Sequence, residues 1–262
     1  MMKFTVLTIF PEMFNSFWSY GIIKKAIEEN HIFTSAINIR DFAKDKHKTT
    51  DDRPYGGGCG MVMKPEPLAD AIRAAKENNP DSRTILLSPQ GSIFNQQLAV
   101  ELAESKGLNL ICGRYEGVDE RISSNFIDDE ISIGDYVLMG GELGAMVIIE
   151  AVTRLIPGVL GSPDSASQDS FSGKLLDYCH YTRPRDFEGS KVPEVLLSGN
   201  HKDIDNWRLE ASLIRTFLKR PDLIENKLLT KQENEILKKW CRDIENIIQT
   251  QSLRGPGTLS GN

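Results

Sequence analysis

The chain has 262 residues, of which 40% are hydrophobic and 26% are charged, and its formal net charge is −6 at pH 7. This apolar content can offset the entropy lost on chain ordering, which excludes a disordered protein and predicts one large or two modest globular domains. No apolar run reaches the roughly 18–20 residues of a membrane-spanning helix, and the N-terminus lacks a signal-peptide pattern, so we expect a cytoplasmic protein without a membrane partner.

Strand and helix patterns alternate through the first part of the chain. Strands are predicted at residues 3–9, 84–87 and 108–112. Helices are predicted at residues 11–30, 68–76, 98–106 and 142–156, with Gly107 ending the third and Pro157 stopping the fourth. Such alternation predicts an α/β domain in which helices cover a mostly parallel sheet.

A change of composition divides the chain after this domain. Residues 161–173 are small, polar and without pattern, which is typical of a functional or disordered loop. We therefore predict a first domain at residues 1–160, a flexible linker at 161–173, a small helical domain at 174–250 and a disordered tail at 251–262.

Two amphipathic helices are predicted in the second domain. The first, at residues 204–219, has an apolar stripe formed by Trp207, Leu209, Leu213, Ile214 and Phe217. The second begins at Thr230, which forms a capping box with Glu233. Its buried stripe is predicted to consist of Ile236, Trp240, Ile244 and Ile247. At this spacing, aromatic side chains are expected in the core rather than on a base-stacking surface.

Charge is spread unevenly along the chain. Residues 116–135 hold seven acidic residues and one basic residue, whereas residues 174–220 hold nine basic and seven acidic residues. The second segment suits contact with nucleic-acid phosphates, although on charge alone a solvated face is the simpler interpretation. The four cysteines and four histidines have no zinc-ligand spacing, so we expect free thiols and no zinc cage.

Three glycine-bearing loops lie at or near the ends of predicted strands, at residues 88–91, 113–117 and 132–141. Ligands of open α/β sheets bind outside the carboxyl ends of the strands, where glycine lets the backbone approach closely. Together the loops predict one pocket that suits an adenosyl group, with Ile133 and Tyr136 among its apolar walls. Taken singly, each loop is more simply an ordinary turn.

Two other nucleotide sites are disfavoured by residue spacing. Met63 occupies the third glycine position of a dinucleotide fingerprint that would begin at Gly58. Gly173 and Lys174 lack the upstream glycine of an ATPase phosphate loop. NAD and ATP chemistry are therefore not expected.

The chain carries a set of ordered motifs between about residues 4 and 225. They are FPEMF at 10–14, DDRPYGGG at 51–58, LSPQG at 87–91, CGRYEGVDER at 112–121, SIGDYVLMGGEL at 132–143, IPGVLG at 156–161, DSF at 169–171, HYTRP at 180–184 and VPEVLLSGNH at 192–201. Taken together, these motifs resemble the TrmD family of tRNA (guanine-N1)-methyltransferases, which belongs to the SPOUT class. So many motifs in one order make chance agreement negligible.

The resemblance implies a parallel sheet with a C-terminal trefoil knot, which general rules of chain connection would not predict. It implies a homodimer that holds S-adenosylmethionine (SAM) near the subunit interface, where the partner's linker and C-terminal domain close over the substrate guanine. The cofactor residues that it implies are Leu87, Ser88, Pro89, Gln90, Gly113, Tyr115, Glu116, Ser132, Ile133, Gly134, Asp135, Tyr136, Val137, Leu138, Gly140 and Gly141.

The implied reaction is methyl transfer to N1 of the guanosine at tRNA position 37, 3′ of the anticodon. N1 carries a proton at neutral pH, so a base must accept that proton as N1 attacks the methyl group. Asp169 matches the family's base, Arg154 an arginine that supports the guanine and the carboxylate, and Glu116 a residue near the methyl donor. Without the motif match, an aspartate in a polar linker is more often solvated or helix-capping.

Contacts with RNA are also implied. We expect them from His180, Arg183, Lys191 and Arg215. Mg²⁺ supports the reaction in the family, although the sequence has no dedicated cage for it, and DNA is not an expected partner. Gly144, Met139 and Cys59 depart from the family pattern but leave the implied catalytic set intact.

Two alternatives stay open at this stage. One is a SPOUT methyltransferase that acts on another RNA, which mapping of the methylated nucleotide would distinguish. The other is a catalytically silent RNA-binding module that keeps the same scaffold. Retention of Glu116, Arg154 and Asp169 counts against the silent module.

Overall fold

The computed structural model describes residues 1–161, 169–173 and 175–253. The chain divides into two compact units, Met1–Ala166 and Ser167–Asn262. Residues 162–168 of the predicted linker and residues 254–262 of the predicted tail lie outside the described residues.

A five-stranded sheet forms the centre of the first unit. The strands of this unit are β1 (Met2–Thr8), β2 (Ile32–Asn38), β3 (Asp51–Asp52), β4 (Val62–Met63), β5 (Arg83–Ile93), β6 (Gly107–Cys112) and β7 (Asp129–Ser132). The main sheet has the order β2-β1-β6-β5-β7 with parallel pairing throughout, and β3 and β4 form a separate antiparallel pair. The predicted α/β fold with a mostly parallel sheet is confirmed.

Helices cover both faces of this sheet. They are α1 (Met13–Trp18), α2 (Gly21–Glu28), α3 (Pro65–Asn78), α4 (Gln96–Ala103), α5 (Glu120–Phe126) and α6 (Glu142–Thr153), with a 3-10 turn at Ile39–Phe42. Successive strand residues point to opposite faces, so Val6 and Leu110 lie in one core while Leu7 and Ile111 lie in the other. Because both faces are covered, the strands are nearly continuous apolar runs.

Three predicted helix boundaries are wrong. The helix predicted at residues 11–30 is two helices, because Tyr20 is extended and Gly21 has a left-handed φ of +63°. Gly107 does not end α4; it is the first residue of β6, where a Cβ would collide with the side chain of Asn79. Helix α6 ends at Thr153, before the predicted residue 156.

Strand β5 is longer than predicted and contains the first glycine loop. It pairs with β7 up to Leu87, leaves the ladder, and pairs with β7 again at Ser92 and Ile93. Residues 88–91 therefore form an excursion within a strand, a feature that is common beside functional sites. Arg83 fixes the start of β5, since its guanidinium donates to both carboxylate oxygens of Asp129 at 2.8 and 2.9 Å, which raises the pKa of Arg83.

The second unit contains a short hairpin and several helices among its described residues. These elements are β8 (Asp186–Phe187), β9 (Ser190–Lys191), a 3-10 turn (Glu194–Leu197), α7 (His201–Lys219), α8 (Pro221–Glu225) and α9 (Lys231–Leu253). The capping box is confirmed, because the Glu233 amide donates to Thr230 Oγ1 at 3.2 Å and the Thr230 amide donates to Glu233 Oε2 at 2.7 Å. No helix in the described ranges is both long and apolar enough to cross a membrane.

The predicted apolar stripes of this unit are wrong in part. In α7, Leu213 is buried, but Ile214 is 44% exposed and Phe217 is 58% exposed. In α9, Ile244 and Ile247 are 56% and 60% exposed. Helical spacing identifies side chains that share a face, but it does not determine whether another element covers that face.

Candidate functional site

The three glycine loops converge on one cavity, which lies at the excursion within β5 and at the carboxyl ends of β6 and β7. The cavity has a volume of about 220 Å³. Every cofactor residue expected from the sequence lines it except Asp135, which is exposed and lies outside the wall although its neighbours Gly134 and Tyr136 line it. The structure thus brings the loops together, and the identity of their ligand stays a prediction.

Gly141 is the point at which the three loops meet. Its amide donates to the carbonyl of Gly113 at 3.0 Å, which joins the third loop to the second. A Cβ at Gly141 would lie 2.8 Å from the Cα of Cys112 and 2.9 Å from the Cβ of Leu87, the residue before the first loop. Only glycine permits this approach of three backbone segments.

A buried carboxylate, Glu142, ties these loops to β1. It is 1% exposed, it accepts a hydrogen bond from Thr8 Oγ1 at 2.7 Å, and it forms an ion pair with Arg114 at 2.9 Å. Arg114 also donates to the carbonyl of Met139 at 3.3 Å, and its guanidinium lies 4.6 Å from the centre of the Phe10 ring. Because a buried charge requires partners, Glu142 holds the second and third loops in a defined arrangement.

The sequence alone does not predict this network. Arg114 and Glu142 lie within the quoted motifs, but Thr8 is 134 residues away from Glu142. A glutamate in the first turn of a helix is ordinarily explained by the helix dipole. The only further signal was its position directly after two glycines.

The cavity wall carries more negative than positive charge. The described residues that line it include three glutamates, Glu116, Glu120 and Glu130, whereas the one arginine among them, Arg114, is paired with Glu142. Nearby carboxylates favour a cationic ligand through Coulomb attraction. SAM combines an adenosine with a positively charged sulfur, so the residues present fit this group.

Tyr136 shapes the apolar part of the wall. Its hydroxyl donates to the carbonyl of Ile133 at 3.1 Å, and its ring packs over Gly134, where a Cβ would lie 2.5 Å from the ring. Ile133 and Leu138 line the cavity beside it. The third loop therefore folds back on itself and offers flat apolar surface to a ring system.

A glycine-rich arm, formed by residues 53–61, contacts Glu116. The arm joins β3 to β4, and Met61 accepts a hydrogen bond from the Glu116 amide at 3.0 Å. Gly60 has a φ of +84°, and a Cβ there would overlap the Glu116 carboxyl group. The motif at residues 51–58 therefore belongs to an arm that supports the second loop.

Arg154 lies at the other end of α6 from the cavity. It is the C-cap of the helix, whereas Gly141 at the cavity is the N-cap. The 12 residues of α6 span about 18 Å at 1.5 Å per residue. Within one chain, the structure does not bring Arg154 together with Glu116.

Asp169 belongs to the second unit, where it lines a cavity of about 250 Å³. Asp177, Asp205 and Arg208 line the same cavity. Arg208 donates to Asp205 at 3.3 Å, and its guanidinium lies 5.0 Å from the centre of the Tyr178 ring. Asp169 thus lies among other carboxylates and an arginine.

The four expected RNA contacts differ in their surroundings. Arg183 and Lys191 are exposed. His180 Nε2 lies 2.7 Å from Asp177 Oδ2, and Arg215 donates to Cys179 Sγ at 3.1 Å, so these two side chains are engaged within the second unit.

The structure also locates the thiols. All four cysteines are free, and burial raises the pKa of the Cys112 thiol at the end of β6. Among the residues that the structure describes, no group of three or more His, Cys, Asp or Glu side chains is arranged to hold a metal ion.

Comparisons with known proteins give a consistent result. The family model described as tRNA (Guanine-1)-methyltransferase TrmD matches residues 2–226. A tRNA (guanine-N(1)-)-methyltransferase of Desulfatibacillum aliphaticivorans is 56% identical over 261 residues, which cover 100% of both chains. The enzyme of the same name from Dictyoglomus turgidum is 56% identical over 244 residues, covering 93% of this chain and 98% of the relative. That of Carboxydothermus hydrogenoformans is 57% identical over 236 residues, covering 90% and 92%.

The match spans both units and includes every glycine loop that lines the cavity. At this identity and coverage, the chain belongs to the tRNA (Guanine-1)-methyltransferase TrmD family.

Proposed function

We propose that the chain transfers a methyl group from SAM to N1 of the guanosine at position 37 of tRNA. The names of the relatives specify N1 of a guanine in tRNA, and position 37 follows from the resemblance of the sequence motifs. The observation that carries the proposal is the acidic, partly apolar cavity where three glycine loops meet.

The loops are proposed to hold SAM through their backbone and through apolar walls. Their amides and carbonyls offer hydrogen bonds to the adenosyl group, while Ile133, Tyr136 and Leu138 pack against its rings. When bound, SAM supplies the methyl group, whose bond to sulfur breaks as a bond to guanine N1 forms. Glu116 favours the positive charge of the sulfonium.

Asp169 is the proposed base of the reaction. Its carboxylate accepts the proton of guanine N1, which leaves the nitrogen lone pair free to attack. Arg154 is proposed to pair with this carboxylate and to orient the guanine, since a guanidinium binds a carboxylate through charge-assisted hydrogen bonds.

A second copy of the chain is proposed to complete the site. Arg154 lies about 18 Å along α6 from the loops of its own chain, by the rise of 1.5 Å per residue. In a closed homodimer with two equivalent sites, the arginine of one chain serves the cavity of the other. This arrangement is supported by the separation of Arg154 from Glu116 within one chain.

The remaining parts of the proposal concern architecture and partners. We assign residues 1–160 to a knotted catalytic domain, 161–173 to an interdomain linker, 174–250 to a helical tRNA-binding domain and 251–262 to a tail. The proposed RNA contacts are His180, Arg183, Lys191 and Arg215. Mg²⁺ supports the reaction in this proposal, and the enzyme works in the cytoplasm on tRNA and not on DNA.

The direct test is methyl transfer from labelled SAM to an unmodified tRNA transcript that carries guanosine at position 37. We expect N1-methylguanosine at that nucleotide and no product when it is replaced by adenosine. Product at another position would support a different RNA specificity. No product from folded protein that binds SAM would reject catalysis and leave the silent RNA-binding module.

Asp169→Asn tests the proposed base. The amide cannot accept the N1 proton, so turnover should fall by about 100-fold or more, in the range usual for loss of a general base. SAM affinity, measured by calorimetry, should not change. Asp205→Asn removes another carboxylate from the same cavity and should retain turnover. Loss of SAM binding by Asp169→Asn would assign the residue to the cofactor instead.

A further inference from the structure

An exposed phenylalanine lies in the hairpin of β8 and β9. Phe187 is 63% exposed, although a hydrogen bond and a tight turn constrain the backbone around it. The amide of Val192 donates to the carbonyl of Arg185 at 2.9 Å, and the turn residues Glu188 and Gly189 have φ values of +53° and +85°. Two successive left-handed residues are the usual requirement of a two-residue hairpin turn. The hairpin therefore presents the phenyl ring to solvent from a fixed position.

The two faces of this hairpin differ in charge. Asp186 pairs with Lys191, and Phe187 pairs with Ser190. Because side chains alternate along a strand, Arg185 and Phe187 share one face, while Asp186 and Lys191 share the other. The opposite charges of Asp186 and Lys191 offset each other. The face of Phe187 therefore carries the phenyl ring and one positive charge, while the exposed Glu188 lies in the turn next to it.

We propose that Arg185 and Phe187 form an RNA-contact surface of the second unit. The phenyl ring stacks on an unpaired base of a tRNA loop, and the Arg185 guanidinium binds an adjacent phosphate. Unpaired bases in RNA loops are commonly held by stacking on aromatic side chains, and basic side chains bind the backbone beside them. The inference rests on the proposed function and adds two contact residues to it.

The size of the surface favours RNA over a protein partner. A stable protein interface buries about 800 Å² on each partner, whereas one phenyl ring on a two-stranded hairpin offers far less apolar area. A single base and its phosphate need only one ring and one cation. The charge of Arg185 also complements a phosphate backbone.

The test compares tRNA affinity at several salt concentrations for matched variants. Phe187→Ala should weaken binding of unmodified tRNA about ten-fold, within the range expected for loss of one base stack, without changing the slope of log K against log salt. Arg185→Ala should instead reduce the magnitude of that slope by about 0.7–0.9, because one phosphate contact is lost. Phe187→Tyr should retain affinity, whereas Phe187→Leu, which is apolar but cannot stack, should not.

Two controls separate this inference from folding and from the proposed function. Phe33→Ala removes another half-exposed phenyl group, on β2 of the first unit, and should retain tRNA affinity. SAM affinity and the thermal midpoint of Phe187→Leu should match those of Phe187→Tyr. Wild-type tRNA affinity in Phe187→Ala, or equal affinity of the Leu and Tyr variants, would overturn the stacking proposal. Absence of tRNA methylation by the wild-type protein would instead reject the proposed function.

Discussion

At the scale of single residues, the candidate site depends on side chains that do not themselves line the cavity. Glu142 is buried, and its partners come from β1 and from the second loop. A buried charge without partners would destabilise the fold. Glu142 therefore depends on its contacts with Thr8 and Arg114. The geometry of the cavity therefore depends on a carboxylate that stands behind it.

Glu142→Gln tests this support. Gln can still accept from Thr8 but cannot pair with the Arg114 charge, so we expect a loss of about 3 kcal/mol in the free energy of unfolding, as for a broken buried pair. Thr8→Val removes two hydrogen bonds, the one that Thr8 Oγ1 donates to Glu142 and the one that it accepts from the Phe10 amide, and should cost about 2 kcal/mol. Denaturant unfolding measures both values, and calorimetry should show weaker SAM binding for Glu142→Gln. Equal stability of the two variants would contradict the prediction that loss of the Arg114 ion pair costs more than loss of the Thr8 hydroxyl.

At the scale of secondary-structure elements, features that depend on neighbouring residues were predicted better than features that depend on packing between elements. The capping box at Thr230 was predictable because its two hydrogen bonds join residues three apart. The exposure of Ile244 was not, because it depends on what covers α9 rather than on the helix itself. The role of Glu142 was unpredictable for the same reason, because its partner Thr8 is distant in the sequence and comes close to it only in the folded sheet.

The cap of α9 should make stability depend on pH. Burial alone would raise the pKa of Glu233, but its bond from the Thr230 amide and its ion pair with Lys227 at 3.1 Å lower it overall. A lowered folded pKa means that the ionised group stabilises the fold above its ordinary pKa of 4.5, and that this contribution is lost as pH falls through the lower folded value.

The measurement is the unfolding free energy between pH 3 and pH 7 for the wild-type protein and Glu233→Gln. The wild-type protein should be more stable at pH 7, and the difference should shrink as the solution becomes more acidic. Glu235→Gln removes an exposed glutamate of the same helix and should leave the pH profile unchanged. A constant difference across the range would contradict the assigned ionisation.

At the scale of the whole molecule, the sequence predicted the α/β class and the meeting of the three glycine loops. Both follow from the alternation of strands and helices, which determines where the carboxyl ends of the strands lie. The excursion at residues 88–91 within β5 was not predicted, because the strand resumes only through pairing of Ser92 and Ile93 with β7. The separation of Arg154 from Glu116 was likewise not predicted, because the sequence motifs do not specify distances between their residues.

That distance makes a prediction about assembly. If each site combines the loops of one chain with Arg154 of the other, a heterodimer of an Arg154→Ala chain and a Gly141→Val chain has one intact site and one doubly defective site. It should therefore recover roughly half of the wild-type turnover per dimer, whereas both parent homodimers should be inactive. Two affinity tags allow the mixed dimer to be purified and assayed with labelled SAM. If Arg154 instead serves its own chain, neither site of the heterodimer is intact, and the mixed dimer should be as inactive as its parents.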